Sequence, residues 1–220
     1  MRDALFERND GNGVLLLSAT GQIERVEVRD VGTDAYGHGF GFFVVSQAAR
    51  AAASIKSARV QRAGRLGIAA SAADVDLDAT LVQDTLPTPG YRHARGVEVQ
   101  DDGPGRRSRL TAHGLVVERN VETGVLVVGS DAVLEDVVAR DTQAASNGTR
   151  GVGIAVENDF LTGEIADAQL RWILAERNHS AGVAVIGSTA LFEGLAVRDG
   201  LPTPSFGGRG CSSSSSGARR

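Results

Sequence analysis

At 220 residues the chain is long enough for one large domain or two small ones, and its 42% hydrophobic content can fill a core. The net charge of −4, with no basic block beyond Arg106–Arg107 and the last two residues, excludes an electrostatic footprint for nucleic acid. A single cysteine, Cys211, excludes an internal disulfide, and no apolar run approaches the ~20 residues of a membrane helix.

Taken in chain order, the first eight residues contain no apolar stretch of the secretory type. A glycine followed by apolar residues one and three places on then recurs at Gly13, Gly39, Gly67, Gly96, Gly124, Gly151 and Gly182. The pairs are Val14/Leu16, Phe40/Phe42, Ile68/Ala70, Val97/Val99, Val125/Val127, Val152/Ile154 and Val183/Val185. Alternation of this kind predicts a short strand with one buried face. A longer period joins Gly13, Gly67, Gly124 and Gly182, at intervals of 54 to 58 residues. Five residues before each stands an arginine (Arg8, Arg62, Arg119, Arg177), and three of these are followed by asparagine (Asn9, Asn120, Asn178). Seventeen residues after each comes an aspartate: Asp30, Asp84, Asp141 and Asp199. Apolar residues fill +10 and +15, and +13 is apolar except for Thr80. Helical pattern is nearly absent, the candidates being alanine-rich Gln47–Ser57 and the stretch Gly163–Arg171.

The reading that fits is all-β: a single-stranded right-handed parallel β-helix, a solenoid of about seven coils of ~28 residues paired in a ~57-residue double repeat. It covers residues 1–211, and 212–220 are expected to form a serine-rich disordered tail. Residues 4–9 match the end of a coil and Gly210-Cys211 the start of another, with no polar cap at either place. The expectation is a piece of a longer solenoid, able to meet further coils of a parent chain or to self-associate through open ends. Arg, Asn and Asp at fixed turn positions are read as structural ladders that hydrogen-bond turn backbone, each Asp accepting from amides two residues on and balancing the charge of the stacked arginines. Aspartates in every second coil would lie ~9.6 Å apart, too far to share a calcium ion. No metal or cofactor is expected, and the four histidines show no metal spacing.

The string Glu-Arg-Asn-x-x-x-Gly-Val-x-Val, followed by Leu-x-x-Val-x-Val-Arg-Asp, resembles the right-handed parallel β-helix repeat proteins of the pectin-lyase-like superfamily. It is most similar to multi-copy versions in large secreted or surface proteins of bacteria. The resemblance implies a non-catalytic β-helix module with a structural or display role at the cell surface or outside it, contacting polysaccharide along one face. The alternative it implies is a fragment of a polysaccharide-degrading lyase or glycoside hydrolase. For the enzyme reading, Asp101-Asp102 with His113-Gly114 resembles the Asp pair and His-Gly of polygalacturonases, since inverting hydrolysis needs two carboxyl groups set apart to admit water. The flanking Asn-Thr-Asp and Arg-Ile-Lys of that family are missing, and Asp-Asp-Gly-Pro-Gly reads as a turn. Phe40, Phe42 and Phe192 are expected inside the core, Trp172 outside; Tyr91 is a further aromatic to test for sugar stacking.

Overall fold

The computed structural model describes residues 1–88, 94–203 and 209–214, and the regular structure in them is all β-strand. Tyr91 and His93 lie outside the described residues. The strands are β1 (Arg2–Glu7), β2 (Gly11–Leu17), β3 (Thr20–Val31), β4 (Gly39–Val45), β5 (Ala52–Lys56), β6 (Arg59–Ala63), β7 (Leu66–Ser71), β8 (Asp74–Asp78), β9 (Leu81–Gln83) and β10 (Arg95–Gln100). They continue as β11 (Arg109–His113), β12 (Val116–Glu118), β13 (Thr123–Val128), β14 (Asp131–Arg140), β15 (Val152–Glu157), β16 (Asp167–Glu176), β17 (Ala181–Ile186), β18 (Thr189–Arg198) and β19 (Arg209–Ser214).

Eight strands, β2, β4, β7, β10, β13, β15, β17 and β19, stack into one sheet, and the remaining eleven form a second. The ladders are parallel and join each strand to its equivalent one coil along. This is the parallel β-helix that the repeat predicts. Its core runs the length of the stack, with Phe42, Ile55, Ile68, Leu110, Leu134, Ile154 and Leu170 among the largest fully buried side chains.

In the eight-stranded sheet a column of glycines runs Gly13, Gly41, Gly67, Gly96, Gly124, Gly153 and Gly182. Two members differ from the sequence alignment, which took Gly39 and Gly151. A Cβ at any of the first six would stand 2.5–2.7 Å from the carbonyl oxygen of the next glycine in the column. Side-chain alternation breaks there. The residue after the glycine enters the core (Phe42, Ile68, Ile154, Val183), whereas the residue before it lies in separate outer clusters (Phe40 and Leu66; Val152 and Ala181). Phe40 is therefore not stacked inside with Phe42. It packs on the outer face against Phe43, at 4.8 Å between ring centroids, under the Arg65 guanidinium. Phe192 occupies a core column next to Leu170 but is 37% exposed at the rim, where no described strand follows β18.

The second sheet is creased by left-handed residues. One column of them comprises Asp3, Arg25, Ser57, Ala79, Gly114, Asp136, Trp172 and Gly194, all with φ between 47° and 67°. The crease explains why the apolar pattern steps by three between +10 and +13: Ile23 and Val26 both point inward across Arg25. Thr80, the polar exception, is buried and donates its hydroxyl to the Asp78 carbonyl. A non-glycine residue here costs about 1–2 kcal/mol of backbone strain. Ala79 is exposed and its neighbours in the column include Gly114, so Ala79→Gly removes strain without removing a buried methyl. We expect the melting temperature to rise by about 2 °C, a net gain of about 0.5–1 kcal/mol after the entropy of glycine in the unfolded chain.

The double repeat comes from alternating long connections. After the glycine-sheet strand, some coils turn tightly through one left-handed residue (Ser18, Ala72, Gly129, Gly187), and their neighbours use loops 46–51, 101–108 and 158–166. Neither helix candidate forms. Gln47, Ala48 and Ala49 direct their amides at the Ser18 hydroxyl, and Ala52–Lys56 is β5; Asp167–Glu176 is β16. Alanine's helical preference yields to a site where both ladder edges are available and Ala53, Ile55, Ala168 and Leu170 alternate inward. The serine tract also differs from expectation at its start. Ser212, Ser213 and Ser214 continue β19, paired with Ala184, Val185 and Ile186, because ladder bonds use backbone alone.

Candidate functional site

The arginines and aspartates singled out by the repeat form one interleaved column, not two. Its order along the stack is Arg8, Asp30, Arg62, Asp84, Arg119, Asp141, Arg177, Asp199, each residue left-handed with φ of 51–57°. The charge balance with arginine takes the form of forks from the next coil, which occupy the Asp carboxylates in place of the local amides expected. Arg62 reaches Asp30 at 2.5 and 2.8 Å, Arg119 reaches Asp84 at 2.7 and 3.1 Å, and Arg177 reaches Asp141 at 2.7 and 3.0 Å. Spacing of ~4.8 Å between coils makes such bridging possible. The Arg177 fork holds the Asp141 carboxyl below its ordinary value.

One residue earlier, a second column alternates in the opposite phase: Glu7, Arg29, Gln61, Gln83, Glu118, Arg140, Glu176, Arg198. Glu7 pairs with Arg29 and Glu118 with Arg140, each at 2.6 Å. Burial pushes Glu118 up, but hydrogen bonds from Arg140 and Arg119 outweigh it and keep the carboxyl low. The recurring Glu-Arg and Arg-Asp dipeptides are thus a checkerboard of charge. The asparagines behind it are internal. Asn120 and Asn178 are 0% and 1% exposed, with Asn120 donating to the Val82 carbonyl and Asn178 to the Ala139 carbonyl. Their side-chain oxygens accept from the Thr85 and Thr142 amides. Asn9, at the N-terminal rim, is half-buried, and its backbone carbonyl accepts from Gly32.

The candidate catalytic residues are not brought together. Asp101 opens loop 101–108, whose Ser108 hydroxyl bonds back to the Gln100 carbonyl, while His113 stands at the far end of the β11 strand that follows the loop. Asp102 is exposed and pairs with Arg106 at 3.1 Å. His113 is 3.5 Å from Asp78 and 3.2 Å from Asp136, on the exposed crease. It occupies a third alternating column, Arg2, Glu24, Lys56, Asp78, His113, Glu135, Arg171, Glu193, in a cation's place.

Asp101 is different. It is 4% exposed and neither carboxylate oxygen has a hydrogen-bond partner. Burial raises its pKa, and the neighbouring Asp159 carboxyl adds to the rise. A carboxyl whose folded pKa is raised binds its proton more tightly folded than unfolded, so it favours folding at low pH and opposes it above the folded value. Asp101→Asn is therefore expected to raise the melting temperature at pH 7, with the gain vanishing below pH ~4, the range in which the unfolded carboxyl takes up its proton. Thermal melts of both proteins at the two pH values check this.

Sequence reasoning missed a buried charge network on the outer face of the eight-stranded sheet. Arg95 bonds Glu98 at 2.7 Å and Glu122 at 3.1 Å, and Arg150 bonds Glu157 at 2.8 Å. Burial works against the Arg95 charge, but the two glutamates outweigh it and the guanidinium stays charged. The partners are three to twenty-seven residues apart, so no local motif marks them.

The outward face of β3, β5, β8, β11, β14 and β16 carries shallow depressions. One of about 260 Å³ lies over Thr20, Gln22, Ala52, Ser54 and Asp76, and one of about 340 Å³ over Arg109, Thr111, Asp131, Val133, Asp167 and Gln169. Their floor is a column of small or polar side chains: Gln22, Ser54, Asp76, Thr111, Val133, Gln169. Trp172 stands beside this face, 52% exposed, with Gly194 beneath its ring. Among the described residues no group of three or more His, Cys, Asp or Glu side chains is placed to hold a metal ion, and no helix is long and apolar enough to cross a membrane.

No protein-family model matches the chain, nor does any curated protein. Among solved structures it is similar to one described as the crystal structure of pectate lyase Pel9A, at 15% identity and a TM-score of 0.48. That match covers 88% of this chain and 62% of the other, so the chain spans less than two thirds of that protein's length.

Proposed function

We propose that the chain is a non-catalytic β-helix module, a structural or display element outside the cell or at its surface that contacts neutral polysaccharide along one face. The observation that carries the non-catalytic part is the use of charge: the Arg and Asp residues of the double repeat bind one another from coil to coil, and Asp101 lies in the loop before β11 whereas His113 is bound between Asp78 and Asp136 at the end of that strand. A glycosidase needs two carboxyl groups facing a common water or substrate atom.

The contact face proposed is the floor from Gln22 to Gln169, where the Gln22, Ser54, Thr111 and Gln169 side chains, on coils spaced about 4.8 Å apart, can hydrogen-bond a polar polymer laid along the axis. Carboxylates at Asp74, Asp76, Asp78, Asp131 and Asp167 outnumber its cations, which disfavours a polyanionic chain. The test incubates the protein with neutral and anionic polysaccharides and follows both retention and release of cleaved products. Retention by a neutral glycan, reduced by Thr111→Arg with Gln169→Arg, and no product supports the reading. Product release overturns it in favour of the lyase or hydrolase; no retention removes the polysaccharide contact.

A further inference from the structure

Two long loops meet midway along the stack, over a tight turn of the coil between them. Loops 101–108 and 158–166 belong to alternate coils, and Gly129, left-handed with φ of 51°, makes the turn beneath both. A Cβ at Gly129 would stand 2.5 Å from Asp101 Oδ1 and 3.0 Å from Glu164 Cβ, so the loops close together there. Hydrogen bonds tie them across the turn. The Gly105 amide donates to Glu164 Oε1 at 2.8 Å, and Arg107 donates to Glu164 Oε2 at 3.2 Å and to the Ile165 carbonyl.

Under this tie lies Asp101, its two oxygens buried and without a hydrogen-bond donor, beside the Asp159 carboxyl. Asp159 in turn shapes its own loop, because its Oδ1 accepts from the Leu161 and Thr162 amides at 2.6 and 3.3 Å. The cations around the pair are engaged with other carboxylates. Arg106 holds Asp102 at 3.1 Å, Arg107 holds Asp131 at 2.5 Å as well as Glu164, and Arg50 of the preceding long loop holds Asp74 at 2.6 Å. Among the described residues none of these arginines pairs with Asp101 or Asp159. Two carboxyl groups packed together without a donor are satisfied by one proton held between them.

We propose that Asp101 and Asp159 share one proton and act as a pH-operated clasp, which holds loop 158–166 on loop 101–108 and releases it when the proton leaves. In the closed state one carboxyl donates to the other. Loss of the proton sets two carboxylates against each other with little water to screen them, and the loop that Asp159 gathers moves away. Burial raises the Asp101 pKa, so the clasp is complete below the folded value and is lost as pH rises through it. That sign is opposite to the ion pairs of the ladder, which acid removes. Loop 158–166 leads into Asp167, at the edge of the depression of about 340 Å³, so its release opens one wall of that face. The clasp is independent of any polysaccharide contact.

Carboxyl-carbon and backbone-amide NMR of the full chain, titrated upward from pH ~5, where an ordinary aspartate is already ionised, tests the proposal. The expected result is that the Asp101 and Asp159 carbons respond to one shared titration. Amide relaxation of Phe160, Leu161 and Thr162 is expected to change at that same step from ordered to mobile on the ps–ns timescale. Asp101→Asn keeps a donor between the two groups at every pH, and its loop is expected to stay ordered throughout. Asp159→Asn removes the opposing charge while keeping an acceptor for the Leu161 and Thr162 amides, and is expected to abolish the change as well. An Asp101 carbon already ionised at pH ~5, or a loop equally ordered on both sides of the titration, overturns the proposal. So does a pH-dependent loosening that persists in either variant.

Discussion

Gly124→Ala is expected to destabilise the protein by about 3 kcal/mol, at the upper end of what overpacking costs, measured by denaturant unfolding. The added methyl would stand 2.5 Å from the Gly153 carbonyl oxygen and 3.0 Å from Val117 Cγ2. The first of these is backbone. It belongs to β15, which is paired on its far side with β17, so it cannot retreat without disturbing the next junction. A flexible side chain at that distance would move aside at little cost. The glycine column thus sets how closely coils approach, and Gly96 and Gly153, each facing a carbonyl at 2.5 Å, are expected to respond alike.

Asn120→Ala is expected to cost about 3 kcal/mol, because it strands buried polar groups worth roughly 1–3 kcal/mol apiece. The amide of Asn120 donates to the Val82 carbonyl at 3.2 Å, and its oxygen accepts from the Thr85 amide at 3.2 Å and the Thr85 hydroxyl at 2.9 Å. Thr85 and Asn120 are fully buried, so water does not replace the lost partner easily. Aspartate fails at the same position for a second reason, since it can offer no donor to Val82. Chemical unfolding of Asn120→Ala and Asn120→Asp, both weakened with Asp the weaker, checks the assignment.

The period and the buried faces were legible because parallel stacking repeats each inward position once per coil, as at Val125, Ile154 and Val183. Two-residue errors at Gly39 and Gly151 were invisible for a specific reason. In both stretches apolar residues continue at every second place, and period-two alternation cannot show the point where the glycine flips the preceding side chain outward. The crease was present in the sequence as a three-residue step, but arginine, alanine and tryptophan are not residues that announce a left-handed backbone. The interleaving of Arg with Asp was hidden too, since it depends on the short half of the repeat spanning one coil from Arg8 to Asp30. Of the candidate site, Asp101 could be seen as a turn residue; its burial beside Asp159 depends on loop 158–166 of another coil.

Acid should unfold the stack. Asp30, Asp74, Asp141 and Glu118 all have depressed pKa values, so their contribution is fully present above the unfolded range near pH 4 and is lost as pH falls through the folded values.

The most direct test of the continuous charge ladder is the exchange Asp84→Arg with Arg119→Asp, compared with each single change by thermal unfolding. An isolated ion pair would recover its stability when swapped. In the ladder, the exchange places arginine beside Arg62 and aspartate beside Asp141, both of which sense the present charges. The ladder predicts a double variant no more stable than the better single one; recovery to the wild-type melting temperature would contradict it.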